Sequence, residues 1–171
     1  MSDEKSLNVA SVVAKTFARC KNDKGFAAAL KKADNPDTEY QAWEIFADYG
    51  ILLNVDAQRL PYALVLSAVA RSSRDSDGSL GLGSALARAY QEDGGKDSDA
   101  AKAKLRRILA CDNVVELCSV LRPVLRLISS RSEVISYTKL LKDLLYFDPE
   151  KTLARWAQDF FVSGKKVEEE S

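Results

Sequence analysis

Apolar residues recur at intervals of three or four positions along most of the chain, which is the period of an amphipathic helix. The pattern is evident in "VASVVAKTFARC", in "YQAWEIFADYG" and in "VVELCSVLRPVLRLI". No stretch combines a convincing alternation of apolar and polar residues with the turn residues of a hairpin. The sequence therefore predicts an all-α protein of about eight to nine helices, arranged in two helical sub-bundles.

Glycine and proline mark the expected helix ends in the N-terminal half. Gly50 should terminate the helix that contains "YQAWEIFA", because glycine readily adopts the left-handed conformation found after a helix. Asp56 could cap the next helix. A second start remains open at Pro61 itself, because proline is tolerated only in the first turn.

The C-terminal half has more regular apolar stripes, which predict a helical core. Pro123 is expected to kink or split one of these helices because it lacks an N–H donor and crowds the preceding turn. Ser132 is the expected cap of the following helix, and Asp148 with Pro149 marks the start of the last one. The residues predicted to face inward include Leu121, Leu125, Leu144, Trp156, Phe160 and Phe161.

Two polar loops that contain glycine, "SSRDSDGS" and "QEDGGKDSD", interrupt the chain. The second loop places the expected boundary near Gly95, between an N-terminal subdomain of residues 1–95 and a C-terminal bundle of residues 96–164. The closing "KKVEEES" has mixed charge and little apolar content, which predicts a disordered tail over residues 165–171.

The segment "DGSLGLGSALARAY" places three glycines ahead of an alanine-rich helix, where a phosphate-binding loop would stand. The common nucleotide loops need a preceding buried strand, and one type also needs a lysine after the last glycine. Here the preceding "ALVLSAVARSSRD" has a helical pattern, and Ser84 follows Gly83. We therefore interpret the loop as a link between helices, in which Gly81 and Gly83 allow close backbone approach.

Composition narrows the classes of function. An apolar fraction of 46% with 29% charged residues over 171 residues is typical of a soluble globular protein. Histidine, the commonest general base and metal ligand, is absent, and the three cysteines form no CxxC pair. With no apolar leader or spanning segment, these features indicate a reduced, cytoplasmic protein without membrane contact.

The sequence contains no complete catalytic or metal-binding constellation. Loop carboxylate pairs, such as Asp75 with Asp77, lack the further oxygen ligands of a calcium loop. No nucleophile, base and orienting group can be assembled, and no SxxK motif supplies a serine–lysine alternative. We therefore expect no catalytic residues, no metal site and no cofactor.

Charge is balanced in the whole chain, with 25 basic and 25 acidic residues, but it is unevenly distributed. Residues 100–131 contain seven lysines and arginines against two acidic residues, a net charge of +5. Lys102 with Arg106, and Arg122 with Arg126, have helical spacing, so each pair projects from one side of its helix. Arginines beside serines on an acid-poor face suit phosphate contacts, although ordinary solvated helix faces also carry arginine.

The C-terminal residues resemble the CasB family, the small subunit of the type I-E CRISPR surveillance complex called Cascade. The resemblance spans roughly Leu80 to Phe161 and rests on "LGLGSALA", "LRRILACDNVVELCSVLRPVLRLI" and "SYTKLLKDLLYFDPEKTLARWAQDFF". Its most specific positions are Arg106, Arg107, Leu109, Leu121, Arg122, Tyr137, Leu140, Leu141, Asp143, Leu144, Leu145, Trp156, Ala157, Asp159 and Phe160. In the first 50 residues the match consists of the helical pattern and "YQAWEIFADYG".

The resemblance implies a non-catalytic subunit, present in two copies, that braces the backbone of the complex and stabilises the R-loop formed when guide RNA pairs with target DNA. The implied partners are the other Cascade subunits, namely the backbone and large subunits, together with a second copy of itself, the guide RNA–target DNA heteroduplex and the displaced DNA strand.

Five basic residues are the expected nucleic-acid ligands. Arg107, Arg122 and Arg126 combine helical placement with an acid-poor neighbourhood, and the first two also match the family pattern. Arg59 and Lys151 are added because each opens a helix, where a basic residue opposes the helix dipole and has no evident stabilising role.

Two other classes of function remain open from the sequence. A purely structural helical spacer would use the same arginines for ion pairs between proteins, and its binding to nucleic acid would lack the steep salt dependence of phosphate contacts. A histidine-free hydrolase is the third interpretation, which a nuclease assay with magnesium or manganese would test.

Overall fold

The computed structural model describes residues 8–131 and 134–170. These residues form nine α-helices and no strand, and Leu80 and Ile135 are joined by an isolated parallel bridge. The helices are α1 (Val9–Asn22), α2 (Lys24–Lys31), α3 (Trp43–Asp48), α4 (Asp56–Arg71), α5 (Leu82–Ala89), α6 (Asp99–Leu109), α7 (Val114–Ser130), α8 (Tyr137–Leu145) and α9 (Pro149–Glu170). The all-α prediction is confirmed, and no helix in the described part is long and apolar enough to cross a membrane.

The chain divides into two compact units, Met1–Asp77 and Gly78–Ser171. The boundary expected near Gly95 instead lies inside the second unit. The reason is that α5, which precedes Gly95, packs along α9, so its apolar face is buried among the C-terminal helices. The glycine-containing loop at Gly78 therefore separates the units, and the later loop does not.

In the first unit, α1, α2 and α4 pack on one another around an apolar core. Gly50 has a φ of 81° just after α3, so the predicted end of this helix is confirmed. Helix α4 begins at Asp56, with Val55 as its cap, and Pro61 lies inside it. The alternative start at Pro61 is wrong because the first turn is already closed by a 2.8 Å hydrogen bond from the Arg59 amide to the Val55 carbonyl.

In the second unit, α5 and α9 approach each other closely at a glycine. A Cβ atom at Gly83 would lie 2.0 Å from the Trp156 carbonyl oxygen and 2.9 Å from the Phe160 amide nitrogen. At Gly81 a Cβ would meet Asp159 Oδ2 at 3.4 Å, which is close to an ordinary contact. The predicted role in close backbone approach is therefore confirmed for Gly83, and the packing requirement is much weaker at Gly81.

The predicted C-terminal core is largely confirmed. Its buried members are Leu121, Leu125, Leu144, Trp156 and Phe160. The Trp156 indole Nε1 donates to Asp143 Oδ2 at 2.9 Å, which joins α8 to α9. Phe161, also predicted to face inward, is 47% exposed. It follows Phe160 by about 100° around the helix, and its ring packs edge-on against that neighbour.

Helix α8 starts later than the sequence suggests. Ser136 caps it, with its hydroxyl accepting from the Lys139 amide at 3.1 Å. The preceding residues are held in an extended pairing, in which the Ser136 amide donates to the Leu80 carbonyl at 2.8 Å. Ser132, the predicted cap, lies outside the described residues.

Pro123 lies inside α7, and Asp148 directly precedes α9. Helix α7 is a single helix from Val114 to Ser130, so of the two predicted effects of Pro123, a kink or a split, the split does not occur. Asp148 Oδ1 accepts from the amides of Glu150 and Lys151 at 3.0 and 3.3 Å, which confirms the predicted start of α9.

The backbone of α9 continues to Glu170, whereas the sequence predicts disorder over residues 165–171. Lysine and glutamate are good helix formers, so "KKVEEE" can extend a helix that is already nucleated at Pro149. Ser171 lies outside the described residues.

Candidate nucleic-acid interface

The basic segment of residues 100–131 forms most of α6, a short connection and α7, and the two helices pack against each other. The Ser98 hydroxyl caps α6 by accepting from the Ala101 amide at 3.2 Å. The Asn113 side chain caps α7 by accepting from the Glu116 amide at 2.9 Å. Because the apolar stripes of both helices are buried, their cationic side chains lie on the outer flanks.

A groove of about 420 Å³ lies between these helices, and we call it the α6–α7 groove. Lys104 and Arg107 are its charged lining residues, which confirms that their spacing of three places them on one side of α6. The full lining consists of Tyr90, Ala100, Ala103, Lys104, Arg107, Val120, Pro123 and Val124. No acidic residue is among them, so an anion in this groove would meet only cations and uncharged side chains.

Arg122 and Arg126 lie on a different flank of α7. At about 100° per residue, the two arginines are separated by about 40° around the helix, so they share one direction. Val120 and Pro123, which line the α6–α7 groove, fall on the other side of the buried stripe. The structure thus presents two pairs of cations, one in the groove and one on the far flank of α7.

Lys104, Arg107 and Arg122 differ from ion-paired cations of the protein, such as Arg71, in their internal contacts. Arg71, for comparison, contacts both oxygens of the buried Asp34 carboxylate at 2.7 and 2.9 Å. Among residues 8–131 and 134–163, no residue forms an ion pair or a hydrogen bond with the side chain of Lys104, Arg107 or Arg122. The donors of these three side chains therefore do not have to leave a protein partner in order to bind a phosphate.

Arg131 is a further cation near the groove, and the sequence did not single it out as a ligand. Its Nη1 donates to the Ala89 carbonyl at 3.1 Å, and its Cζ lies 5.8 Å from the centroid of the Tyr90 ring. Burial raises the pKa of Tyr90, and the charge of Arg131 opposes this only in part, so the phenol stays neutral. Arg131 also lines a depression of about 360 Å³, together with Arg88, Ala89, Gln91 and Glu92.

Arg59 lies in the first unit and is held by internal contacts, which contradicts the sequence-based argument that it has no stabilising role. Its Nε donates to Glu39 Oε2 at 2.7 Å, and its Nη1 donates to the Leu53 carbonyl at 2.6 Å. The same Nη1 lies 3.0 Å from Asp56 Oδ1, and the guanidinium carbon lies 5.7 Å from the centroid of the Trp43 ring. Two carboxylates thus neutralise Arg59.

Lys151 is exposed in the first turn of α9. Its amide is bonded to the Asp148 carboxylate, and its side chain is not part of the lining of the α6–α7 groove. The structure therefore brings Arg107 together with Lys104 and Arg122 with Arg126, and places Arg59 and Lys151 elsewhere.

Thiol chemistry at this surface is suppressed by burial. Burial raises the pKa of Cys118 to about 12, and the nearby Arg122 lowers it only in part. Burial also raises the pKa of Cys111, whose Sγ donates to the Arg107 carbonyl at 3.4 Å. Both thiols stay protonated near neutral pH and are poor nucleophiles. Within the described residues, no cluster of three or more His, Cys, Asp or Glu side chains could hold a metal ion.

Comparisons with known proteins identify the family. The model of the family described as CRISPR-associated protein Cse2 matches residues 27–161, which is most of the chain. A chain of a "CRISPR RNA-guided surveillance complex" has a similar fold, with a TM-score of 0.74 and 23% sequence identity over 96% of this chain and 98% of that chain. Among curated proteins, none matches at a significant level. The chain belongs to the Cse2 family of CRISPR-associated proteins, which is the CasB family that its C-terminal residues resemble.

Proposed function

We propose that this protein is a non-catalytic subunit of a Cascade-type, RNA-guided CRISPR complex. Its membership of the Cse2 family supports this proposal, as does its fold similarity to a chain of a surveillance complex. In the complex, two copies would contact the backbone and large subunits. They would stabilise the R-loop by holding the heteroduplex and the displaced DNA strand through sequence-independent contacts.

Three cations of α6 and α7 have no ion-pair or side-chain hydrogen-bond partner among the described residues, and they support a role in nucleic-acid binding. Lys104, Arg107 and Arg122 are donors that match phosphate oxygens, and the groove lining contains no acidic residue to compete. Contacts of this kind hold a backbone without reading its sequence. Because opening a duplex for a guide RNA is nearly balanced in free energy, a few such contacts are enough to shift the equilibrium.

The roles of the candidate residues follow from their surroundings. We assign the groove contact to Lys104 and Arg107, and the contact on the far flank of α7 to Arg122 and Arg126. Lys151, which is exposed in the first turn of α9, remains a candidate. Arg59 is removed from the set because its charge is already neutralised within the fold.

The test uses charge-neutralising double variants. Lys104→Gln/Arg107→Gln and Arg122→Gln/Arg126→Gln are compared with the control Arg19→Gln/Lys21→Gln. The control also removes two cations, but from α1, where they pair with Asp23 and Asp75. Affinity for a single-stranded DNA oligonucleotide is measured by fluorescence anisotropy across a salt series. R-loop formation is then measured with the assembled complex.

We expect each test variant to bind DNA more weakly and with a shallower salt slope, by about 0.7 in log K against log salt for each lost phosphate contact. Its assembly into the complex should be retained, and the control should behave like the parent. If a test variant no longer joins the complex, its cations contact protein and the spacer interpretation is favoured. If both test variants bind DNA and open target duplex like the parent, the nucleic-acid surface lies elsewhere.

A further inference from the structure

The first unit carries a group of large apolar side chains that are exposed around α3. We call Tyr40, Trp43, Leu52 and Val55 the α3 patch; they are 62%, 37%, 54% and 38% exposed, respectively. Single exposed apolar residues are common on soluble proteins, but contiguous groups rimmed by polar residues mark interaction sites.

Hydrogen bonds connect Trp43 to the segment that carries Leu52 and Val55, and Tyr40 precedes Trp43 by three residues, about one turn of the 3₁₀ helix Glu39–Ala42. Glu39 Oε2 accepts from the Trp43 indole and from Arg59 Nε, both at 2.7 Å. Arg59 also donates to the Leu53 carbonyl, which fixes the segment that carries Leu52 on one side and Val55 on the other. Through these hydrogen bonds, Arg59 connects the outer face of α3 to the start of α4.

The surroundings of the α3 patch are acidic. Residues 33–58 contain six acidic residues and no lysine or arginine. Glu44 and Asp48 are exposed on α3, and Asp56 is exposed at the start of α4. The cations bonded to this segment include Arg59, Arg71 and Lys32. Arg59 pairs with two of the carboxylates, Arg71 pairs with a third, and Lys32 Nζ donates to Gln41 Oε1 at 2.9 Å. The six carboxylates exceed these three cations, so the surface is net acidic. A phosphate backbone would be repelled here, whereas a basic protein surface would be attracted.

We propose that the α3 patch is a docking site for another protein subunit of the complex, one whose contacting surface presents an apolar side chain surrounded by lysine or arginine. This inference rests on the proposed function, because it assumes such a complex. Aromatic anchors with a charged rim are typical of protein interfaces, where the aromatic residues supply most of the affinity and the rim charges steer association.

A different subunit fits this surface better than a second copy of the same chain. A two-fold contact would bring the acidic surroundings of two identical patches together, and the like charges would repel. A head-to-tail contact would need a basic surface on the second copy, and the basic face of α6 and α7 is the one that we assign to nucleic acid.

Arg59 becomes a positioning residue in this proposal. It does not itself need to touch the partner, since its donors are occupied by Glu39, Leu53 and Asp56. Its effect is to hold the Trp43 ring and the segment before α4 in one fixed arrangement. These contacts explain why a basic residue stands in the first turn of α4, which the sequence pattern alone does not explain.

The experiment separates apolar from charged contributions. Tyr40→Ser/Leu52→Ser removes apolar contact at two exposed positions, and Glu44→Lys/Asp48→Lys reverses the acidic rim. Tyr146→Ser is the matched control, because Tyr146 is 76% exposed in the other unit. Each variant is titrated into purified complex that lacks this subunit, and its binding to a DNA oligonucleotide is measured separately.

We expect both patch variants to bind the complex at least tenfold more weakly, with an unchanged denaturation midpoint and unchanged affinity for DNA. The charge variant should also associate more slowly at low salt. The Tyr146→Ser control should bind like the parent.

Three results would overturn the inference. The first is full incorporation of both patch variants, and the second is loss of DNA affinity in either of them, which would make the patch a nucleic-acid surface. The third is a concentration-dependent dimer of the isolated chain that the patch variants abolish, because the occupant would then be a second copy. If the parent chain itself fails to enter the complex, the proposed function and this docking site are both refuted. If only R-loop stabilisation is lost, the docking result is unaffected.

Discussion

Replacing Gly83 by alanine tests the close packing of α5 on α9. The added Cβ would lie 2.0 Å from the Trp156 carbonyl oxygen, whereas non-bonded carbon and oxygen atoms normally stay more than about 3 Å apart. The obstacle is backbone of α9 rather than the tip of a flexible side chain, so the two helices must separate by about 1 Å. Overpacking of this kind costs about 3 kcal/mol at the upper end of its usual range. Alanine recovers about 1 kcal/mol of helix propensity, which leaves a net loss of about 2 kcal/mol.

Gly25→Ala is the matched control, because Gly25 also lies in a helix and its Cβ would meet only the Asp23 carboxylate at 3.5 Å. We expect it to leave stability unchanged or raise it by up to about 1 kcal/mol. Urea denaturation followed by circular dichroism and by tryptophan fluorescence measures both variants, since Trp43 and Trp156 report on different units. For a chain of this size, the loss at Gly83 corresponds to a decrease in melting temperature of about 4 to 8 °C. A Gly83→Ala protein as stable as the parent would refute the packing argument.

Two further predictions concern the second unit. Trp156→Ala should reduce the free energy of unfolding by about 3 to 5 kcal/mol, because it empties the site of a ring that is 1% exposed; an unchanged urea midpoint would contradict this. Burial raises the pKa of Cys118 to about 12, above the ordinary thiol value of 9.0, so its contribution to stability is complete below pH 9 and is lost as the pH rises towards 12. Cys118→Ala should therefore show a smaller alkaline loss of stability than the parent in denaturation curves measured across that range, and identical pH profiles would count against the assignment.

The helical fold could be predicted from the sequence because periodicity is a local property. Most helix ends depend on nearby residues, as at Gly50 and Asp148, and these predictions are confirmed. The boundary between the units was misplaced because it depends on which distant helix α5 contacts. Three glycines indicated a close approach somewhere after residue 77, but nothing local to Gly83 specifies that its neighbour is Trp156.

The candidate site shows the same division between local and long-range information. Helical spacing was enough to pair Lys104 with Arg107, and both line one groove. It could not reveal that Arg59 is neutralised by Glu39, since those residues are 20 positions apart in sequence and meet only in the folded unit. The dipole of α4 does disfavour a cation at Arg59, but an ion pair with a largely buried carboxylate outweighs this cost of less than about 1 kcal/mol.

The balance of charges in this protein is informative only after each cation is assigned a partner. A neutral total conceals an acidic segment over residues 33–58 and a basic one over residues 100–131. Cations that carry internal ion pairs, such as Arg59 just after the acidic segment, support the fold. Those without such pairs, such as Arg107, keep donors for an external anion. Salt should therefore act unequally on the two proposed surfaces. Phosphate contacts weaken steeply through counterion release, whereas an apolar patch with an acidic rim loses mainly its rate of association. A protein arranged in this way can remain attached to its complex under conditions in which its hold on DNA is already reduced.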